Sequence, residues 1–320
     1  MRSFMRNMIK LITCTICLVT AFTGNAGPQN LDNQITSADN QSRIEQQDPL
    51  RILIVDGFNN HDWQLTTRLT KGILESSGLF RVDVSTAPSS QSALEWASWR
   101  PKFSQYDVVM QNCNSHGSRA QWPKKVQRDL EKFVSQGGGL YIFHSANNAF
   151  PQWPDYNLMI GLGWRNKNFG DAVTINRNEE VIRIPAGEGD NTNHGKRINA
   201  VITSMGNHPI HKTLPKQWKA ADLEIYRYAR GPAKNMTVLS YAKEPETGLN
   251  FPVEWIVRYG KGRVYNSTYG HVWKGDTNPD GMRCIAFQTL LIRTLEWLSH
   301  KQVSWPPPAN FPTKEAISLE

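Results

Sequence analysis

The feature that most constrains this chain is a series of short apolar segments, each ending in a polar loop that leads into a helical pattern. Arg51-Ile-Leu-Ile-Val-Asp56 is the first of them. A nearly continuous apolar run of this length, without alternation, is what a strand buried on both faces looks like, and such strands belong to parallel sheets. The run ends in Gly57-Phe-Asn-Asn-His61-Asp62-Trp63, after which Leu65, Leu69, Ile73 and Leu74 share one helix face and Gly78 closes the helix. Arg81–Ser85 and Tyr106–Gln111 repeat the strand pattern, and Val126, Leu130, Phe133 and Val134 repeat the helical one. Gly137-Gly138-Gly139 stops that helix ahead of a strand at Leu140–Phe143. Strand and helix alternating through short links predict an α/β fold on a doubly wound, mostly parallel sheet.

The pattern changes after Pro151. Val173–Ile175, Val181–Ile184 and Ala200–Thr203 read as short strands of an inserted antiparallel region. Val238–Tyr241, Val253–Val257 and Val264–Thr268 return to the sheet, and a last helix over Arg283–Leu298 puts Phe287, Leu291, Leu295 and Leu298 on one side. Trp305-Pro-Pro-Pro308 ends the fold. With no internal repeat and no second core, one elaborated domain spans 49–300, followed by a tail over 301–320; a domain of this size buries a core of its own.

The N-terminus reads differently. Basic Met1–Lys10, an apolar run from Leu11 to Phe22, and small residues at Gly24 and Ala26 make a secretory signal cleaved after Ala26. The run is short of the ~20 residues of a membrane span. Residues 27–48, rich in Gln, Asn, Ser and Asp, are expected to be a disordered leader. Loss of Arg2, Arg6 and Lys10 lowers the formal charge from +8 to +5, with both signs interspersed. That distribution argues against nucleic acid as a partner, and no membrane span is expected once the signal is gone; the expected location is the periplasm or the medium. Of four cysteines only Cys113 and Cys284 remain after cleavage, too few for a disulfide scaffold, so burial must carry stability.

In open α/β sheets, ligands bind beyond the carboxyl ends of the strands. His61 follows the first strand, Asn112–His116 the third, His144–Asn148 the fourth, and Tyr269-Gly270-His271 the strand at 264–268. Glu224 adds an acid beside Tyr226. A lone histidine at such a position is often structural, but several at one sheet edge form a constellation. Histidine with carboxylate can do general acid–base work near neutral pH, or hold zinc with an open position. No short zinc spacing such as His-Glu-x-x-His is present. Ser145 lacks the Gly-x-Ser-x-Gly elbow, Cys113 reads as a buried inert thiol, and no glycine-rich nucleotide loop follows the first strand.

The order of these pieces resembles the ThuA-like family of trehalose utilisation, whose fold is related to class I glutamine amidotransferases and is flavodoxin-like. The matching segments are Gly57–Trp63, Gly137–Ala146, Met159–Arg165, Asn207–Ile210, Thr213–Trp218, Leu223–Tyr226, Arg230–Ala233, Gly260–Val264 and Gly270-His271. His144 stands where the amidotransferases carry their elbow cysteine, so the resemblance implies no glutaminase chemistry. Carried over by motif, the site residues would be His61, His144, Glu224 and His271, with His61, His144 and His271 as the set for a divalent metal such as zinc. The family's Asp-Glu-Leu-Tyr stands here as Leu-Glu-Ile-Tyr, and Phe169-Gly-Asp171 replaces a Gly-His pair found in many relatives. His208, before Pro209, reads as a turn residue.

The resemblance implies a small-molecule sugar substrate, in pathways that form 3-keto sugars. The expected activity is acid–base chemistry on a 3-keto glycoside or disaccharide. A non-catalytic carbohydrate-binding protein and a zinc-dependent hydrolase are the alternatives.

Overall fold

The computed structural model describes residues 48–116 and 120–320. The expected signal and leader therefore lie, save Asp48, outside the described residues. The strands are β1 (Leu50–Asp56), β2 (Phe80–Thr86), β3 (Val108–Gln111), β4 (Gly139–Ile142), β5 (Asp171–Ile175), β6 (Val181–Ile184), β7 (Asn193–His194), β8 (Ile198–Ser204), β9 (Gln217–Leu223), β10 (Tyr226–Arg227), β11 (Arg230–Gly231), β12 (Met236–Lys243), β13 (Asn250–Tyr259) and β14 (Gly262–Ser267). The helices are α1 (Trp63–Ser76), α2 (Lys124–Ser135), α3 (Pro154–Ile160), α4 (Asp280–Arg283) and α5 (Ile285–His300).

Among the described residues twelve strands form one sheet, with the path β2-β1-β3-β4-β14-β13-β12-β8-β9 and β5, β6 and β11 attached at its side. The five strands from β2 to β14 pair in parallel. From β14 onward every pairing is antiparallel. The order 2-1-3-4-14 of the parallel half is the flavodoxin-like one, so its switch point falls between β1 and β3. The α/β fold with an antiparallel region is thus as the sequence predicts.

Period-two alternation along the buried strands divides the core into two layers. Ile52 and Ile54 of β1 face α1 and α5 with Val108, Tyr141 and Tyr265. Leu53 and Val55 face α2 and α3 with Val109, Leu140, Ile142 and Val264. Removing this apolar surface from water, at about 25 cal/mol per Å², is what chiefly holds the helices to the sheet.

The last helix departs from the expected one-sided pattern. In α5 the side chains of Thr289, Arg293, Thr294 and Glu296 are buried along with Leu291 and Leu295. The reason is the chain beyond it, which does not end its packing at Pro308. Trp305, Phe311, Ile317 and Leu319 pack on the same core, and Leu319 pairs with Cys284, the extended residue separating α4 from α5. Arg293 is satisfied by carbonyls alone, those of Pro209, Ile210, Lys212 and Trp305.

The antiparallel half curls back over α5. Trp218 of β9 lies within hydrogen-bond reach of Tyr269 just beyond β14 (Nε1 to OH, 3.3 Å), although β9 is last in the pairing path. That return delivers the residues after β9 to the carboxyl edge of the parallel strands. Among the described residues no helix is long and apolar enough to cross a membrane.

Candidate active site

Four loops at the carboxyl edge carry the site. After β1, Gly57 has φ +129°, and a Cβ there would stand 2.1 Å from the Ala87 carbonyl oxygen, so only glycine lets the loop leave the strand beside β2. Asn59 then folds the loop on itself, its Oδ1 accepting from the His61 backbone N–H at 3.0 Å. After β4 the chain turns into a short 3-10 helix, His144–Asn148, whose first residue has φ 42°. Left-handed backbone is uncommon outside glycine, though histidine is among the residues that tolerate it. This sharp turn projects the His144 ring out of the strand end. After β14 comes the loop carrying His271, and after β9 comes Glu224, preceded by Asp222 with φ 51°.

The structure brings together the four residues singled out from the sequence. One ligand atom from each of His61, His144, Glu224 and His271 lies within 4.8 Å of those of the others, and all four side chains are buried. The three imidazoles pack edge to face, with centroids 5.3 Å (His61–His144), 5.0 Å (His61–His271) and 5.2 Å (His144–His271) apart. Glu224 is the hub. Its Oε2 lies 3.4 Å from His144 Nε2, and its Oε1 lies 3.3 Å from His271 Nε2 and 3.5 Å from His194 Nε2.

Contacts on the far side of each ring set the tautomers. His144 Nδ1 sits 3.0 Å from the Thr268 carbonyl oxygen, an acceptor only, so Nδ1 carries a proton, while Nε2 faces Glu224 Oε2 at 3.4 Å. Tyr226 OH is 3.5 Å from that Nε2. His61 Nδ1 sits 3.0 Å from Asn60 Oδ1, which also accepts from Asn114 Nδ2 at 2.6 Å, and this leaves the Nε2 of His61 as an inward acceptor. His271 is held differently: Arg197 Nη1 is 3.0 Å from its Nδ1.

Electrostatics follow from burial and mutual proximity. Burial first, then the His144 and His271 rings, bring His61 down to about 2. Burial and His144 likewise bring His271 to about 3, against the pull of Glu224. Burial opposes ionisation of Glu224, yet the hydrogen bond with His144 and the positive potential of His144, His271 and His194 outweigh it and hold the carboxyl at about 2. At neutral pH the site therefore presents a carboxylate ringed by imidazoles, two of which resist protonation.

Several residues of the site were not singled out in the sequence. His194 lies in an Asp/Asn-rich segment with no periodicity to mark it. Trp164 packs edge-on against His194 and Tyr226 (centroids 5.5 and 5.4 Å) and lies in the matched Met159–Arg165 segment, which was the available signal. Trp273 is 46 % exposed, lies parallel to His271 (6.1 Å, 11°) and meets His61 edge-on at 4.9 Å. His116 stands apart from the cluster, exposed, 6.2 Å from Trp164. Cys113 is fully buried, and burial pushes its thiol far up, as an inert thiol requires. His208 caps its turn through Nδ1 to the Ile210 N–H at 3.3 Å, the turn role expected of it.

The donor set suits a divalent metal in part. A tetrahedral zinc site with bonds of about 2.0 Å has ligand atoms about 3.3 Å apart, so the cluster would need a modest contraction. His61 and His144 already donate Nδ1–H to an oxygen and point Nε2 inward, the usual arrangement of ligating histidines.

The family described as ThuA, trehalose utilisation, matches the chain over residues 51–298. The crystal structure of a ThuA-like protein from Parabacteroides merdae superposes with a TM-score of 0.79 at 31 % identity, covering 85 % of this chain and 98 % of that one. An exo-β-1,4-mannosidase from Opitutaceae bacterium strain TAV5 has 14 % identity and a TM-score of 0.31, covering 69 % of this chain and 31 % of that one. A β-galactosidase from the haloarchaeon Halorubrum lacusprofundi has 13 % identity and a TM-score of 0.43, covering 79 % and 30 %. Neither of these two partial likenesses bears on function. A comparison with curated proteins finds no match.

Proposed function

The chain belongs to the ThuA family of trehalose utilisation, which gives it a role in carbohydrate utilisation, and on that premise we propose that it is an acid–base enzyme acting on a 3-keto glycoside. The observation that carries the proposal is the convergence of His61, His144, His271 and Glu224 within 4.8 Å at the carboxyl edge of the sheet. A ketone at C3 acidifies the neighbouring C–H bonds, so a single positioned base suffices to begin epimerisation or elimination. His144 and Glu224 together are the base: Nδ1 of His144 is fixed on the Thr268 carbonyl oxygen, and the proton taken up is held between its Nε2 and Glu224 Oε2, 3.4 Å apart. His61 stays neutral and lines the cleft. His271 Nε2 is placed to bond the carbonyl oxygen as negative charge develops on it.

The test is an NMR time course with 3-keto-trehalose in heavy water. Deuterium uptake beside the ketone that is lost in His144→Ala supports the reading; uptake unchanged in His144→Ala removes the assigned base. Sugar binding by calorimetry without any exchange would favour a non-catalytic binding protein instead.

A second reading rests on the Nδ1 contacts of His61 and His144, which suit both as ligands of a divalent metal. His61, His144 and Glu224 would hold the ion, which would polarise a carbonyl or activate water. Elemental analysis of protein purified without chelator, followed by zinc titration of His61→Ala, decides it. Export belongs to the same proposal and rests on Met1–Ala26; N-terminal sequencing of the exported protein should begin at Gly27.

A further inference from the structure

The contacts of His271 differ from those of the other two histidines, and the difference has a chemical meaning. A guanidinium donates from every nitrogen and accepts nowhere, and it keeps its proton in proteins. The Arg197 Nη1–H directed at His271 Nδ1 (3.0 Å) therefore requires a lone pair on Nδ1. In a neutral imidazole the proton then resides on Nε2. Nε2 of His271 faces Glu224 Oε1 at 3.3 Å, a group that can only accept while ionised, so both sides of the ring specify the same tautomer. Arg197 is itself fixed: Asp222 Oδ2 accepts from the same Nη1 at 3.0 Å, and Asp276 stands 3.7 Å away. Asp276 Oδ2 also accepts the backbone N–H of Trp273 at 2.7 Å, which ties the Arg197 support to the loop carrying His271.

We propose that Arg197 is a positioning residue that locks His271 as the Nε2–H tautomer, a neutral donor that rests on Glu224 Oε1 and turns to a substrate oxygen when one enters, and not a metal ligand. The inference rests on the acid–base reading for its catalytic consequence and on geometry alone for the tautomer. It divides the three imidazoles by task. His61 presents a bare Nε2 that accepts a proton or a cation, His144 and Glu224 hold a proton between them, and His271 presents an N–H fixed by Arg197. A ketone entering between them meets an acceptor at carbon and a donor at oxygen, which proton abstraction beside a carbonyl requires. The same lock removes His271 from a metal set, because a ligating Nε2 must be bare and Nδ1 would then have to turn its own proton towards the guanidinium.

The experiment is two-bond proton–nitrogen NMR of protein labelled with ¹⁵N-histidine, His271 being assigned from its absence in His271→Gln. The expected wild-type spectrum shows a protonated Nε2 and a bare Nδ1 for His271, and a protonated Nδ1 for His144. Arg197→Lys, which can still donate, keeps the wild-type pattern; Arg197→Ala loses the single tautomer. In the exchange assay Arg197→Ala lowers kcat by about tenfold to a hundredfold with KM little changed, the size expected when one oxyanion donor is misplaced. A protonated Nδ1 on His271 in the wild-type spectrum overturns the lock, as does an unchanged tautomer in Arg197→Ala. Loss of the Nε2 proton of His271 on adding zinc overturns its exclusion from the metal set. Wild-type protein with the expected tautomer but no deuterium exchange would overturn the acid–base reading and the task assigned to His271, while the Arg197–His271 lock stood.

Discussion

His144 Nε2 and Glu224 Oε2 lie 3.4 Å apart in a pocket where both side chains are buried, one offered by the parallel half of the sheet and the other by the antiparallel half. Two groups this close act as a unit, so their removal should not be additive. Glu224→Gln keeps the shape of the carboxylate and removes its charge, and it should slow deuterium exchange about a hundredfold. His144→Ala should do at least as much. The double variant should be no slower than the worse single one; a full additive loss would show that the two act in separate steps.

Trp273 offers a flat apolar face at the mouth of the site, beside His271 and His61. A stacked ring contact is worth about 0.5–1.5 kcal/mol. Trp273→Ala should therefore raise KM for a keto-disaccharide by about three- to tenfold and leave kcat within about threefold. Steady-state kinetics separate the two. A monosaccharide affected as strongly as a disaccharide would argue against a platform for the second ring.

Acid should unfold the protein early. His61, His271 and His208 are held neutral, at about 2, 3 and 4, by burial above all. The unfolded chain takes up protons at these residues below about pH 6.5 while the folded one does not, so stability falls as pH falls through that window. Each such histidine contributes about 1.4 kcal/mol per pH unit. Glu224 and Glu254, whose folded values are depressed, add to the loss once the pH drops below about 4.3. Urea denaturation at pH 8, 6 and 5 should show the midpoint lower at pH 6 than at pH 8, and lower again at pH 5. A midpoint unchanged at pH 5 would mean that these rings are already protonated in the fold.

Gly57→Ala tests the exit from β1. The added methyl has no room beside Ala87, and the backbone would have to leave φ +129°. The expected loss is more than about 2 kcal/mol, measured by thermal or urea unfolding. Displacement of His61, four residues on, should lower exchange activity even in the folded fraction. Full stability in this variant would show that the loop has a second conformation.

What could be read from the sequence, and what could not, follows from how strands are buried. β1, β3 and β4 lie in the sheet interior and are written as short, largely apolar runs, whereas β14 is the mixed Gly262-Arg-Val-Tyr-Asn-Ser267; the histidines after β1, β4 and β14 could be placed by counting from strand ends. β9 escaped notice because Gln217-Trp-Lys-Ala-Ala-Asp-Leu223 mixes buried Trp218 with Lys219, whose backbone pairs with Thr313 of the tail. α3 begins at Pro154 directly after Trp153 and is one short segment, too brief for periodicity. β7, β10 and β11 are two residues each, held by their surroundings and not by their own propensity. Glu224 was found through its neighbour Tyr226, whereas Arg197 was not: its partners come from the end of β9 and from the loop between β14 and α4, which no local pattern encodes.

The division of the sheet has a consequence for when the chemistry can exist. His61, His144 and His271 follow strands of the parallel half, whereas Glu224 follows β9, the last strand in the pairing path. Seating Glu224 needs β13, β12, β8 and β9 to pair in turn and curl back, a step beyond the closure of the parallel strands. A chain that has assembled only its parallel half would hold a cluster of imidazoles with no carboxylate among them. The reactive set thus doubles as a mark of completion, present only in molecules whose two halves have met.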